Sequence, residues 1–82
     1  METTQYFDND VLPARPEIKA CLSFVENALT EYHSIEKQTD GRTRRWVSVP
    51  EREKYIRVIV EPDGETIHNA LFDSNYTRRQ RR

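Results

Sequence analysis

Five polar side chains in the second half of the chain could together perform proton transfer and charge stabilisation. Metal-independent cleavage of RNA needs a group that takes the 2′-hydroxyl proton, an acid for the leaving 5′-oxygen, and cations for the charge that builds on the phosphate. His68 or Tyr76 could move protons, Arg44 and Arg57 could stabilise charge, and Asn69 could orient the phosphate or sugar. The ordinary alternative for His68 is a hydrogen-bonded structural histidine.

Cations alternate with aromatic side chains in the same half of the chain. Lys and Arg attract phosphates, and flat rings can stack on unpaired bases. The residues that we expect to contact nucleic acid are Lys37, Arg44, Trp46, Tyr55, Arg57, Arg78 and Arg79. The alternative is that the Arg side chains lie over the rings as surface pairs and that nearby Glu side chains neutralise them.

The net charge of -1 conceals an asymmetry between the two halves of the chain. Residues 1–41 carry three Lys or Arg against eight acids, whereas residues 42–82 carry ten against six. An anionic partner such as RNA is therefore expected to bind the second half. The same asymmetry could instead let the acidic half repel that anion, or let two copies of the chain associate.

Composition excludes several classes of site. Cys21 is the only cysteine, so neither an intrachain disulfide nor a cysteine-based metal site can form, and the cytoplasm is the expected compartment. Two His with scattered acids give no metal-ligand spacing, and two Gly give no phosphate-cradling loop, so neither metal nor cofactor is expected. No apolar run reaches membrane-spanning length, and the N-terminus lacks the pattern of a secretion signal.

A helix must form the layer that supports these residues. Apolar side chains recur every three or four positions from Ile18 to Leu29, which predicts an amphipathic helix from Pro16 to about Tyr32. The segment before it is polar and acidic, and we expect residues 1–14 to form an extended arm. Residues 15–75 are predicted to form a single domain, and residues 76–82 a basic tail.

Four segments in which apolar and polar residues alternate follow the helix, and this alternation predicts strands. They are Ile35–Thr39, Arg42–Val49, Tyr55–Glu61 and Thr66–Phe72. Their short connections predict an antiparallel meander. The predicted fold class is therefore α+β, an N-terminal helix packed on one face of a four-stranded antiparallel sheet, with the other face open.

Strand alternation assigns side chains to the two faces of this sheet. The stripe Ile56, Val58 and Val60 should meet the helix, which leaves Tyr55 and Arg57 on the open face. If Val49 pairs with Lys54, then Arg44 and Trp46 share that face. A two-residue turn at Asp40-Gly41 would pair Thr39 with Arg42 and bring Lys37 beside Arg44.

The position of His68 depends on the last turn. Pro62 and Gly64 suit the second and fourth positions of a type I turn, and the resulting three-residue loop would pair Arg57 with Asn69 and direct His68 towards the core or its rim. A two-residue loop would shift the register by one and place His68 on the open face. Turn preferences favour the first arrangement.

The order of these elements resembles a known superfamily. A helix followed by a meander with KYIRVIV, a DG turn, IHNALFD and a basic Tyr/Arg end resembles the RelE/ParE/BrnT-like small toxins over roughly residues 16–79. The segments RPEIKACLSFVENAL, QTDGRTRRW and YIRV…PDGETIHNALFD more closely resemble short proteins without an established activity. Relatives often carry a His at the helix start and a Thr before the Ala of the final strand, where this chain has Arg15 and Asn69.

The resemblance implies a RelE-like fold and a toxin-type, metal-independent endoribonuclease that binds RNA on the open sheet face. It also implies an antitoxin-like protein partner. Arg44, Arg57, Tyr76 and Arg78 occupy places comparable to those of residues used by active members. The alternatives are a non-catalytic module of the same fold that binds nucleic acid or protein, and a self-associating structural protein.

Overall fold

A five-stranded mixed sheet forms the framework of the protein, which we describe for residues 1–81 from a computed structural model. The strands are β1 (Glu2–Thr3), β2 (Ser34–Lys37), β3 (Thr43–Val49), β4 (Lys54–Val60) and β5 (Thr66–Phe72). Their order is β1-β5-β4-β3-β2, in which β2 to β5 form the expected antiparallel meander. The α+β class is confirmed, but β1 adds an unpredicted fifth strand that runs parallel to β5.

Short helices cover one face of the sheet. A π-helical turn at Phe7–Val11 leads into α1 (Leu12–Ala14), α2 (Pro16–Lys19) and α3 (Leu22–Asn27). The prediction of one continuous helix from Pro16 to about Tyr32 is therefore wrong, because Cys21 leaves helical geometry between α2 and α3. Within residues 1–81, no helix has the length and apolar character needed to cross a membrane.

The first fourteen residues belong to the packed structure and differ from the extended arm that we expected. Phe7 and Val11 are spaced one helical turn apart, and both are buried in the core. This pair gives an otherwise acidic segment an apolar side, which explains why the segment forms a helical turn that packs on the sheet. Arg15 then leaves helical geometry, with φ −133° and ψ 75°, as expected for a residue that precedes Pro16.

The core lies between these helices and the sheet. Ile56, Val58 and Val60 are fully buried on this side, as strand alternation predicted. Their partners in the core are Phe7, Val11, Ile18, Cys21, Val25, Ala28, Val47, Val49, Ile67 and Ala70. The periodic residues of the predicted helix therefore face the sheet even though the helix is broken.

A C-terminal helix, α4 (Ser74–Gln80), replaces the expected basic tail over the residues that the structure describes; residue 82 lies outside them. Asp73 caps this helix by accepting a hydrogen bond from the Tyr76 backbone N–H at 3.0 Å. Tyr76 and Thr77 are buried, and Thr77 Oγ1 accepts from the Tyr55 backbone N–H at 2.9 Å. The helix is thus packed on the start of β4.

The register between β2 and β3 differs by one residue from the prediction. The loop is longer than expected, because the Gln38 N–H donates to the Arg42 carbonyl at 2.8 Å and Gly41 adopts a left-handed φ of 92°. Lys37 consequently pairs with Thr43, and Glu36 pairs with Arg44. A shift of one residue reverses the face of every side chain, so Glu36 and not Lys37 lies beside Arg44.

The β3–β4 register is the predicted one, with Val49 opposite Lys54 and Trp46 opposite Arg57. Arg44, Trp46 and Arg57 therefore share the face opposite the helical layer. This part of the open-face prediction is confirmed.

The favoured register between β4 and β5 is not observed, since Val60 pairs with Ile67 as the alternative two-residue loop would give, and that alternative holds only next to the loop. The turn itself forms as expected, since the Gly64 N–H donates to the Glu61 carbonyl at 2.9 Å. However, the Asp63 carboxylate accepts from the backbone N–H of the two residues that follow Gly64, which stabilises a longer loop. A bulge beside Val60 shifts the pairing again, so that Arg57 lies opposite Leu71 instead of Asn69.

Candidate functional site

An open cleft of ≈ 460 Å³ lies on the face of the sheet opposite the helical layer. Strands β3 and β4 contribute Arg44, Trp46 and Arg57, and helix α4 contributes Tyr76 and Arg79. Ser34, Ile35, Glu36, Asp73 and Asn75 complete its lining. Five of the residues predicted to act on or bind RNA are therefore gathered around a single depression.

Two predicted catalytic residues lie elsewhere. His68 is at the β1 side of the sheet, where its ring stacks on Tyr6 at 5.0 Å and its Nδ1 lies 3.3 Å from Thr4 Oγ1. The Asn69 Oδ1 accepts a hydrogen bond from Arg15 Nη1 at 2.8 Å. Both side chains are held by the fold, so the five-residue catalytic set does not form one site.

Three predicted nucleic-acid contacts also fall outside this cleft. Lys37 lies on the opposite face as a result of the β2 register. Tyr55 is half-buried and packs edge-on against His33 and Tyr76, with ring centroids 5.1 Å apart in each case. Arg78 lines a different depression.

Arg57 has the hydrogen-bonding capacity that an anion site requires. Its Nε–H is buried and has no partner within the described residues. Its Nη1 lies 3.7 Å from Asp73 Oδ2, beyond hydrogen-bond distance. A guanidinium presents five N–H donors in a planar fork, and the outer N–H groups of Arg57, whose side chain is 32% exposed, line the cleft, whereas the buried Nε–H does not reach a ligand.

Asp73 organises the floor of the cleft. Its carboxylate accepts from Trp46 Nε1–H and from the Tyr76 backbone N–H, each at 3.0 Å. Burial raises the pKa of Asp73, but these two hydrogen bonds and the charges of Arg57 and Arg79 outweigh burial and hold that pKa below its ordinary value. Asp73 is therefore an anion at neutral pH.

The charges around the cleft do not cancel. Arg44 Nη1 donates to Glu36 Oε1 at 2.8 Å, and Asp73 offsets part of the charge of Arg57. No carboxylate of residues 1–81 lies within 4.0 Å of the Arg79 guanidinium. Three guanidiniums against two carboxylates leave an excess of one positive charge.

The aromatic rings of the cleft are not offered to a base. Trp46 stacks on Tyr76 with ring centroids 4.8 Å apart and an interplanar angle of 10°, and the two residues are 8% and 7% exposed. Arg79 lies 5.7 Å from the Tyr76 ring centroid. The predicted stacking of bases on Trp46 therefore does not fit, because α4 already covers its ring.

Sequence reasoning missed two residues that contact the Tyr76 hydroxyl. A hydrogen bond of 2.6 Å joins Tyr76 Oη to His33 Nδ1, and Ser34 Oγ is also hydrogen-bonded to this oxygen. No local pattern marks these two residues, because Tyr76 follows His33 by 43 residues and Ser34 by 42 residues in the chain.

The described residues contain no cluster of three or more His, Cys, Asp or Glu side chains that could hold a metal ion.

Comparisons with protein-family models, with curated proteins and with solved structures found no match. The resemblance to RelE/ParE/BrnT-like toxins therefore stays a prediction. Function must be inferred from the chemistry of the cleft.

Proposed function

We propose that the protein is a small RNA-binding protein of RelE/BrnT-like type that holds a backbone phosphate of single-stranded RNA in the cleft. The observation that carries this proposal is that the guanidiniums of Arg44, Arg57 and Arg79 line one cleft, and that the nearest carboxylate to Arg57 lies beyond hydrogen-bond distance, at 3.7 Å. Arginine forks match the oxygens of phosphate, and the excess positive charge favours such an anion.

Recognition of the backbone fits this cleft better than recognition of bases. Trp46 and Tyr76 are stacked on each other and nearly buried, so sequence-specific stacking on them is not available. The open shape suits a chain that passes across the surface. Ser34 lies in the lining, and its hydroxyl could bond a ribose 2′-hydroxyl, the group that distinguishes RNA from DNA.

A second function, metal-independent cleavage of the bound RNA, is favoured by the hydrogen bond between Tyr76 and His33. In this proposal Tyr76 Oη takes the 2′-hydroxyl proton while its own proton passes to His33 Nδ1. The 2′-oxygen then bonds to phosphorus, and the 5′-oxygen leaves with a proton from solvent. Arg57 stabilises the charge on the phosphate. The roles first considered for His68 and Asn69 are not retained.

Binding can be tested by fluorescence anisotropy with a labelled single-stranded RNA over a range of salt concentrations. We expect Arg57→Ala to weaken binding about tenfold and to reduce the magnitude of the salt slope by about 0.7, the value for one phosphate contact on a single strand. Lys19→Ala is the matched control, because Lys19 is an exposed cation of α2 outside the cleft. Affinity that is independent of salt, or equal losses in both variants, would refute RNA binding at this site.

Cleavage needs a separate measurement. Tyr76→Phe keeps the ring that stacks on Trp46 but removes the hydroxyl bonded to His33. We expect the wild-type protein to release products with a 2′,3′-cyclic phosphate, and Tyr76→Phe to bind RNA normally while cleaving about a hundredfold more slowly. Wild-type protein that binds RNA and leaves it uncut would identify a non-catalytic binding module.

A further inference from the structure

A second cleft, of ≈ 260 Å³, lies next to the start of α4. Its lining consists of Lys54, Phe72, Asp73, Ser74, Thr77, Arg78 and Arg81. Asp73 lines this cleft and also the first one. The two clefts therefore adjoin each other at the beginning of the C-terminal helix, with Arg79 facing the first and Arg78 facing the second.

The second cleft concentrates positive charge, and its Lys and Arg side chains form no ion pair within residues 1–81. Lys54, Arg78 and Arg81 have no carboxylate of residues 1–81 within 4.0 Å. Arg81 Nη2 donates to the Glu53 carbonyl at 2.7 Å, and Arg78 Nη2 donates to Asn75 Oδ1, both of which are neutral acceptors. Cations held near one another in this way repel, and a bound anion would relieve that repulsion.

The carboxylate of Asp73 does not supply that anion. Its two oxygens accept from Trp46 Nε1–H and from the Tyr76 backbone N–H, which belong to the first cleft and to the helix cap. The second cleft thus keeps three cations against one carboxylate that is already hydrogen-bonded elsewhere.

The ring of Phe72 gives the second cleft an apolar wall. Phe72 packs against the core and is only half-buried, so part of its ring faces the cleft. Lys54 Nζ and Arg52 Cζ lie 5.7 and 5.8 Å from the ring centroid. An accessible aromatic ring surrounded by cations is the arrangement that takes a nucleobase together with its phosphate.

We infer that the second cleft is a nucleotide subsite, in which a base contacts Phe72 and its phosphate contacts Lys54 and Arg78. This inference rests on the proposed RNA binding and extends it, since one strand would cross the start of α4 with a phosphate in each cleft. The first cleft then holds backbone only, while the second cleft contributes the contact to a base.

Anisotropy titrations of a labelled oligoadenylate, and of an abasic strand of the same length, test the subsite. Phe72→Leu keeps an apolar side chain on the core but removes the ring, and it should weaken oligoadenylate binding about tenfold while leaving the abasic strand unaffected. The double variant Lys54→Ala/Arg78→Ala changes two exposed side chains. It should weaken binding of both strands and reduce the magnitude of the salt slope by about 1.4, the value for two phosphate contacts.

The outcomes separate this inference from the function on which it rests. If Arg57→Ala weakens binding but Phe72→Leu and the double variant bind both strands like wild type, the subsite does not exist and the first cleft stands. If the wild-type protein binds neither strand, both proposals are wrong. Should Phe72→Leu fail to fold, as seen by circular dichroism, the double variant decides, because an unchanged salt slope would overturn the subsite by itself.

Discussion

Replacement of Asp73 with alanine should lower the free energy of unfolding by about 2–4 kcal/mol. Loss of the helix cap costs about 1 kcal/mol, and the Trp46 Nε1–H is left without an acceptor at a residue only 8% exposed, which costs about 1–3 kcal/mol. We add nothing for Arg57, because its Nη1 is 3.7 Å from the carboxylate and about a third of the side chain is exposed to solvent.

Asp73→Asn should separate hydrogen bonding from charge. An asparagine oxygen can still cap α4, so we expect a loss of only about 1 kcal/mol. The same change removes a negative charge beside Arg57 and Arg79, the two cations that lower the pKa of Asp73. Under the proposed function, Asp73→Asn should therefore bind RNA several times more tightly than wild type, although it is less stable.

The stabilisation by Asp73 should also depend on pH. Because the pKa of Asp73 in the fold lies below its ordinary value, the carboxylate stabilises the protein above the unfolded pKa of about 4. This contribution is lost as the pH falls through the lower pKa of the folded state. The difference in unfolding free energy between wild type and Asp73→Asn should therefore be largest near neutral pH and should shrink below about pH 4.

Urea unfolding followed by far-ultraviolet circular dichroism is the suitable assay, since fluorescence would report mainly on Trp46, the single tryptophan and a direct partner of Asp73. Glu65→Ala is the matched control, because Glu65 is an exposed acid in the β4–β5 loop. An Asp73→Ala variant whose stability lies within about 0.5 kcal/mol of this control would show that the carboxylate does not organise the site.

Three further changes test the packing that holds the site, each by urea unfolding. Ile56→Ala removes a fully buried side chain from the centre of the sheet and should cost about 2–5 kcal/mol; a loss below 1 kcal/mol would contradict the assigned core. Gly41→Ala places a Cβ at a φ of 92° and should cost about 1 kcal/mol, whereas an unchanged stability would argue for a different loop. Arg15→Ala removes hydrogen bonds to Asn69 Oδ1 and the Ala70 carbonyl, both 2.8 Å long, and should cost about 1–3 kcal/mol; a neutral effect would show that the N-terminal layer is not held there.

The sequence pattern predicted which side chains face the core, because burial imposes a periodicity on each strand and helix. Ile56, Val58 and Val60 are buried as expected. The β3–β4 register was also predictable, and with it the shared face of Arg44, Trp46 and Arg57. The break in the helix near Cys21 was not, since the same spacing of apolar residues fits one helix or two short ones.

Turns limited the prediction of the site. Asp40-Gly41 suits a two-residue loop, yet the left-handed Gly41 serves a longer one, and this difference of one residue moves Lys37 to the other face. The contacts of Tyr76 with His33 and Trp46 join segments far apart in the chain. Such contacts depend on how α4 docks, and local pattern carries no information about that.

The strand β1 has a consequence for the order in which the molecule assembles and opens. It pairs with β5 through only two residues, extended by the Thr4 N–H donating to the Ile67 carbonyl at 3.0 Å. Closing a loop that spans most of the chain costs entropy and gains few contacts, so this strand should dock after the meander has formed. By the same reasoning it should be the first part of the sheet to detach, and its amide hydrogens should exchange with solvent well before those of β4.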